Sequence, residues 1–451
     1  MAHHRSKPSV ALPEAPIHRW LVPVKSFLQI EAASGGLLLL CTVIALILAN
    51  SPWAHAFESF WETELSFSIA GYTLHGHLGH LIINDALMTV FFFVVGLEVK
   101  REIVSGELQD PRKALLPIVG AIGGVIAPAS IYAFLQWDQL GQRGWAIPMA
   151  TDIAFVVGIL ALFGKRVPFG LKVFLLTLAI VDDLVAVLVI AFVFTESISL
   201  GYLGWAALGC CLTYILNKLG VRSVMIYVII GVAIWLSFYH AGVHTTISGV
   251  ILGLMTPSQA WISKHTLMDV MTSFWERLTT DEKENDDVPI DLEQLEFVAR
   301  ESLSPLHRLE MYLHPWVAFF IMPVFALANA GVPLQAKPLF DSVTIAVALG
   351  LAIGKPLGII SASLLAVRLG LTKLPEGVKV SAFVAGGFLG GIGFTMALFL
   401  NSLAFAGEEY ADLSSAGKVG TLVGSILSAA IGCLILLWSC RSTVPSPKTE
   451  Q

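Results

Sequence analysis

The chain has 451 residues, of which 56% are hydrophobic and only 13% charged, with a formal net charge of −6 and a mean hydropathy of +0.77. Soluble domains carry about 25% charged residues, so roughly half the usual charge is missing. Repeated apolar runs, each near the ~20 residues that cross a bilayer, account for the deficit. This composition describes a polytopic membrane protein. No nucleotide-binding loop or nucleic-acid signature is present. The five cysteines (Cys41, Cys210, Cys211, Cys433, Cys440) lie in or at the end of apolar runs, without metal-ligand spacing, and read as packing residues.

In chain order, residues 1–28 are polar and basic with no early apolar core, so no cleaved signal peptide is expected. Apolar spans follow near 29–50, 78–99, 115–137, 145–163, 168–194, 199–217, 224–238, 242–255, 312–331, 341–366, 378–403 and 415–440, which makes twelve. The stretch 224–255 is long for one span and short for two. Basic loops belong on the cytoplasmic side, and the firmest are 100–113 (Lys100, Arg101, Arg112, Lys113) and 164–172 (Lys165, Arg166, Lys172). Two short helices in 224–255 also place the basic loop 367–379 inside and the acidic loop 404–414 (Glu408, Glu409, Asp412) outside. One helix would reverse both. Two helices are therefore expected, with transmembrane blocks 29–255 and 312–440 and both termini (1–28 and 441–451) cytoplasmic. Only Arg143, Lys337 and Lys418 then fall on the outer side.

Two segments stand outside the spans. LSFSIAGYTLH alternates apolar and polar residues around Ala70-Gly71, which predicts an outer β-hairpin near 65–75. A lone hairpin is marginal in water, so pairing with a second copy is expected. The connection 256–311 is acidic over 256–306 (TTDEKENDDVPIDLEQLE) and reads as a mobile cytoplasmic loop, a solvated linker in preference to a regulatory arm.

The charges left inside the spans are few. Asp182 and Asp183 interrupt LLTLAIVDDLVAVLVIAF, Asp152 and Lys355 lie in other spans, and Asp85 and Glu98 sit nearer span ends. A charge at the bilayer centre costs about 2.5–3.5 kcal/mol on insertion scales, so such groups face a protein interior or a water-filled cavity. Three acids against one base leave carboxylates free to hold a proton or a cation. Adjacent helical residues point about 100° apart, so one aspartate of the pair suits Lys355 and the other an aqueous cavity. The bland reading, two anchors satisfied by hydroxyls, is weaker. Pro148 in WAIPMAT breaks span four before Asp152, and five glycines in AGGFLGGIGFT break span eleven. Both breaks fall in the middle of a triplet of spans (115–194 and 341–440), the pattern of an inverted repeat with its site where the breaks cross.

The stretches ATDIAFVVGILALFGKRVP, LAIVDDLVAV, NDALMTVFFFVVGLEVKRE, GVHTTISGVILG, LHPWVAFFIMPVFALANAGV, GKPLGI and GGIGFTMALF together resemble the NhaA-type sodium/proton antiporters, from about residue 29 to 440. The departures are a longer 256–306 insertion and an extended N-terminal tail. The resemblance implies an all-α protein of twelve transmembrane helices with an inverted repeat, two discontinuous helices (spans 4 and 11), a periplasmic hairpin and a homodimer in the bacterial inner membrane. It makes Asp183 the principal Na⁺ or Li⁺ ligand, Asp182 the partner of Lys355, and Asp152 and Thr151 part of the broken-helix crossing. Glu98, Glu102, Arg308, Glu310 and His244 match positions linked to pH response at or near the cytoplasmic side. The implied activity is exchange of Na⁺ or Li⁺ for H⁺, two protons per sodium, with no cofactor and no catalysis. Hard cations favour oxygen ligands, which these carboxylates and Thr151 supply. A cation channel would need a ring of ligands along an open pore, which Lys355 opposes. An intramembrane aspartyl protease lacks its GxGD-type loop here.

Overall fold

The computed structural model of the protein describes residues 31–69, 72–195, 198–221, 223–279, 288–333 and 340–441. The N-terminal segment 1–28, the hairpin tip Ala70-Gly71, Lys337 and the tail beyond 441 lie outside the described residues. Lipid offers the backbone no hydrogen-bond partner, so an apolar run satisfies its amides by coiling. Each of the twelve apolar stretches contains helix. The elements are α1 (Glu31–Ala49), α2 (Ala54–Trp61), β1 (Glu64–Ile69), β2 (Tyr72–His77), α3 (Leu78–Ser105) and α4 (Pro111–Leu135). A 3-10 segment (Leu140–Met149) leads into α5 (Ile153–Phe163), followed by α6 (Phe169–Val193), α7 (Leu200–Lys218), α8 (Val224–Ala241) and α9 (Thr246–Met255). The chain continues through α10 (Lys264–Thr279), α11 (Val288–Glu301), α12 (Pro305–Asn329), α13 (Ser342–Arg368), α14 (Val380–Leu389), α15 (Phe394–Ala404) and α16 (Ala411–Arg441).

Among the described residues nine helices are long and apolar enough to cross a membrane, or up to eleven if each of two bent pairs counts as one span. The bent pairs are α1 with α2, at 118°, and α14 with α15, at 41°. The ambiguous stretch 224–255 divides into two helices. Gly242 adopts φ 75°, a left-handed conformation that only glycine takes without strain, and ends α8. The ten residues of α9 rise roughly 15 Å, about half the hydrocarbon thickness.

The predicted hairpin is present. β1 and β2 pair antiparallel with Leu65 opposite Gly76 and Ser68 opposite Thr73, and the Tyr239 hydroxyl of α8 donates to the His75 carbonyl at 3.0 Å. The acidic insertion departs from its reading as a loop, because α10 and α11 lie within it. Its net charge obscured a helical spacing of apolar residues in KHTLMDVMTSFWERLT.

Two features of the packing set up the interior. Phe92 of α3, Phe325 of α12 and Phe399 of α15 converge with ring centroids 5.6 and 6.1 Å apart, and all three are buried. Gly123 of α4 and Gly358 of α13 let the two backbones meet. A Cβ on either would collide with the carbonyl oxygen of the other, and one on Gly124 would lie 2.7 Å from Ile359 and 3.8 Å from the Lys355 stem. Small residues permit such close helix contact in lipid, where van der Waals packing drives association.

This contact predicts the sign of two glycine substitutions. Gly358→Ala should destabilise the purified protein by about 1–3 kcal/mol through overpacking. Gly204→Ala, where nothing lies within 4 Å, should be neutral or slightly stabilising. Denaturant titration in detergent checks both.

Candidate functional site

The site is assembled where two interruptions meet the middle of α6. Residues 150–152 are extended between the 3-10 segment and α5, and residues 390–393 interrupt the passage from α14 to α15. Pro148 and the run of glycines withhold the helical continuity that these stretches would otherwise have. The freed backbone groups find one another. The Asp152 amide donates to the Ile392 carbonyl at 2.7 Å. The Thr151 hydroxyl lies 2.8 Å from the Gly390 carbonyl and 2.6 Å from Asp182 Oδ2, and its single proton serves one acceptor at a time. Helix α16 props the second break, with Ser425 accepting from the Phe394 amide at 3.1 Å and Ser428 donating to the Phe388 carbonyl at 2.7 Å.

Asp152 is wholly occupied as a strut. Its Oδ1 caps α5 by accepting from the Phe155 amide at 3.2 Å. Its Oδ2 accepts from the Thr395 amide at 3.0 Å and from the Thr395 hydroxyl. One carboxylate thus caps α5 and ties down the start of α15, an N-terminal position that favours negative charge.

The Asp182–Asp183 pair divides its two carboxylates. Lys355, fully buried on α13, donates to Asp182 Oδ2 at 2.6 Å and to the Met149 carbonyl. The ammonium therefore bridges an acid of α6 and a carbonyl freed by the first interruption. Asp183 is also buried, at 1% exposure, yet neither of its oxygens accepts a hydrogen bond within the described residues. Among the described residues no three His, Cys, Asp or Glu side chains converge on a metal cage.

A cavity of about 790 Å³ opens at one end of the bundle, lined by Glu102, Glu107, Asp110 and Lys113 and, from α6, by Leu176 and Thr177. Neither aspartate of the pair lines it. Thr177 precedes Asp183 by six residues, roughly 9 Å along the helix axis. Around the same end Arg101 pairs with Glu310 and, at 3.4 Å, with Glu102, while Arg308 lies 3.4 Å from Glu301. Glu102 also accepts from the Glu107 amide at 3.0 Å. Glu102 and Glu310 thus share Arg101 at the junction of α3 and α12, with Glu98 one turn before Glu102 on α3 and Arg308 two residues before Glu310 on α12. His244 is not among them. It follows α8, with Nε2 4.0 Å from Asp85 at the opposite end of α3. The offset of thirteen positions from Asp85 to Glu98 separates the two clusters by roughly 20 Å.

Several groups escaped the sequence reading. Thr395 lies two residues after the last glycine of the run, and its proximity to the break was the available signal. Ser425 and Ser428 gave none, because serines on an apolar helix look like packing residues. The Asp85 environment, with His80 at 3.3 Å and the Thr245 hydroxyl donating at 3.1 Å, joins segments far apart in the chain.

The Lys355–Asp182 contact predicts an asymmetry between single and double substitutions. Asp182→Asn should destabilise the protein by about 3–5 kcal/mol, because it strands a buried ammonium. Asp182→Asn combined with Lys355→Met should recover most of that loss. Chemical unfolding of the purified variants measures both, and a double variant no more stable than the single one would show that the pair is not the cause.

Comparison with known proteins bears on the same residues. The sequence profile of the Na⁺/H⁺ antiporter 1 family matches residues 25–436. The chain is 49% identical over 449 residues to the Na⁺/H⁺ antiporter NhaA of Rhodopirellula baltica, covering 97% of this chain and 98% of the relative. It is 45% identical to Na⁺/H⁺ antiporter NhaA 2 of Acidiphilium cryptum, covering 97% of each chain. The same identity relates it to Na⁺/H⁺ antiporter NhaA of Rhizobium meliloti, with 94% of this chain and 96% of the relative covered. Together with its apolar helices, this makes the protein a multi-pass membrane protein. The chain belongs to the Na⁺/H⁺ antiporter 1 family, whose members are transporters and not enzymes.

Proposed function

We propose that the protein exchanges Na⁺ or Li⁺ for H⁺ across the bacterial inner membrane, with Asp183 as the shared binding group. The observation that carries this reading is the pair of buried Asp183 oxygens with no hydrogen-bond donor, beside an Asp182 already matched to Lys355. An unmatched carboxylate away from water is neutralised by taking a proton or a hard cation. The two compete for the same oxygens. If only an occupied carrier changes between inward- and outward-open forms, competition alone gives exchange, without ATP or a covalent intermediate. Asp182 and the Thr151 hydroxyl complete the oxygen set, and Asp152 holds the crossing in place.

In this reading the chain crosses the membrane twelve times. Spans 115–194 and 341–440 form an inverted repeat, and the interrupted segments are its discontinuous helices. The acidic cavity is the cytoplasmic approach, and the Arg101, Glu102, Glu310 and Arg308 neighbourhood, with Glu98, contributes to pH response; His244 would act separately from the other end. The hairpin joins two copies. Two protons per sodium make the cycle electrogenic, driven by membrane voltage at about 2.3 kcal/mol per charge per 100 mV.

Asp183→Asn should abolish sodium-driven proton release from proteoliposomes and sodium binding by calorimetry, since an amide has no competing proton to release. Exchange by Asp183→Asn at the wild-type rate would remove Asp183 from the mechanism.

Competition also fixes a pH dependence. With two protons against one sodium, the apparent sodium constant in the proton-dominated regime should rise up to ~100-fold per pH unit of acidification, or about 2.7 kcal/mol at 1.36 kcal/mol per decade. Saturating sodium should then restore most of the rate. Sodium titrations at several pH values, equal inside and outside, measure this. A maximal rate that collapses at fixed apparent constant would instead assign acid inhibition to a separate sensor.

A further inference from the structure

The insertion between α9 and α12 is built on the ends of two apolar helices. The Leu306 amide donates to the Pro257 carbonyl at 3.1 Å, and the Ile262 amide to the Glu301 carbonyl at 3.2 Å. The Arg308–Glu301 ion pair reinforces the same base. These contacts hold both stems against the starting points of the neighbouring helices.

Helix α10 is two-faced. At 100° per residue, Val270, Phe274, Leu267, Met271, Trp275 and Met268 occupy an arc of roughly 160°, and His265, Asp269, Ser273 and Glu276 lie opposite. The helix packs against α11, and Leu267, Val270 and Phe274 are half-buried. The rest of the arc faces outward, with Met268 62%, Met271 49% and Trp275 67% exposed. Trp261, 69% exposed, lies before α10 and within about 4 Å of where a Cβ on Gly220 would stand. Gly220 immediately follows Leu219, the residue just past the end of α7, which continues an exposed stripe formed by Leu208, Leu212 and Ile215. That spacing is one helix face, apolar and outward on a candidate membrane span, and so lipid-facing. Trp261 therefore extends a lipid-facing surface into the insertion.

We propose that α10 lies on the membrane surface, with Trp261, Met268, Met271 and Trp275 seated at the headgroup–acyl boundary of the leaflet where α9 ends and α12 begins. An amphipathic helix lies in that plane when its apolar face is continuous, and tryptophan favours that depth. Asp269 and Glu276, on the opposite face of α10, remain on the water side, so attachment is by apolar burial and does not require anionic lipid. A soluble protein partner would have no reason to share a surface with the lipid face of α7. This reading depends on the chain spanning a membrane and not on which ions it exchanges.

The test uses the full chain with its native cysteines replaced. Single nitroxide labels at Met271→Cys and Ser273→Cys are compared in nanodiscs that hold one protomer, with either zwitterionic or mixed anionic lipid. The Met271 label should be more accessible to oxygen than to a water-soluble nickel chelate in both lipids. The Ser273 label should show the reverse. Adding Trp275→Glu should shift the Met271 label toward the nickel chelate while exchange activity persists. Equal nickel access at both positions would overturn the proposal. So would a Met271 label shielded from both reagents, or oxygen access that disappears in single-protomer discs or without anionic lipid. Unchanged accessibility after Trp275→Glu would also overturn it.

Discussion

The structure is organised around one buried ammonium that has too many carboxylates to match. Lys355 contacts Asp182 and the Met149 carbonyl without exposure to water, and Asp183 and Asp152 remain to be accommodated. A low-dielectric interior makes each imbalance expensive and each match strong. Asp152 is accommodated by amides and a hydroxyl at the starts of α5 and α15. Asp183 is not: both its oxygens are buried without a hydrogen-bond donor among the described residues.

The surrounding packing serves this charge arrangement. Lys355 reaches Asp182 because α13 lies against α4 at Gly123 and Gly358, closer than any side chain would allow. The Met149 carbonyl is available because the chain leaves helical geometry over 150–152. Phe155 of α5 stacks edge-on to Phe394 of α15 with centroids 4.7 Å apart, and Phe174 of α6 meets Phe383 of α14 at 4.9 Å. Aromatic contacts thus flank the polar crossing.

Much of this was legible in the sequence because lipid makes polar residues conspicuous. Asp152, Asp182, Asp183 and Lys355 stand out from apolar runs, and Pro148 and the glycine run mark the interruptions. The 224–255 division was recoverable because charge on distant loops constrains helix count. Other features were hidden for physical reasons. Net charge in 256–306 masked the periodicity of α10. Asp85, His80, Thr245 and His244 meet only through tertiary packing, which a residue-by-residue reading does not see. The partners of Asp152 depended on a contact between residues 243 positions apart.

The hydrogen bonds of Asp152 have a mechanical consequence. The carboxylate grips the first turn of α5 and the first turn of α15, while its own amide is tied to Ile392. The two interruptions, which look like natural hinges, are therefore laced together as a rigid knot. Bending one would tear backbone hydrogen bonds in a medium with no water to replace them. Any movement that uncovers Asp183 must carry the knot as a whole and slide along its boundary with neighbouring helices. Their greasy side chains can slip past one another without breaking a polar bond.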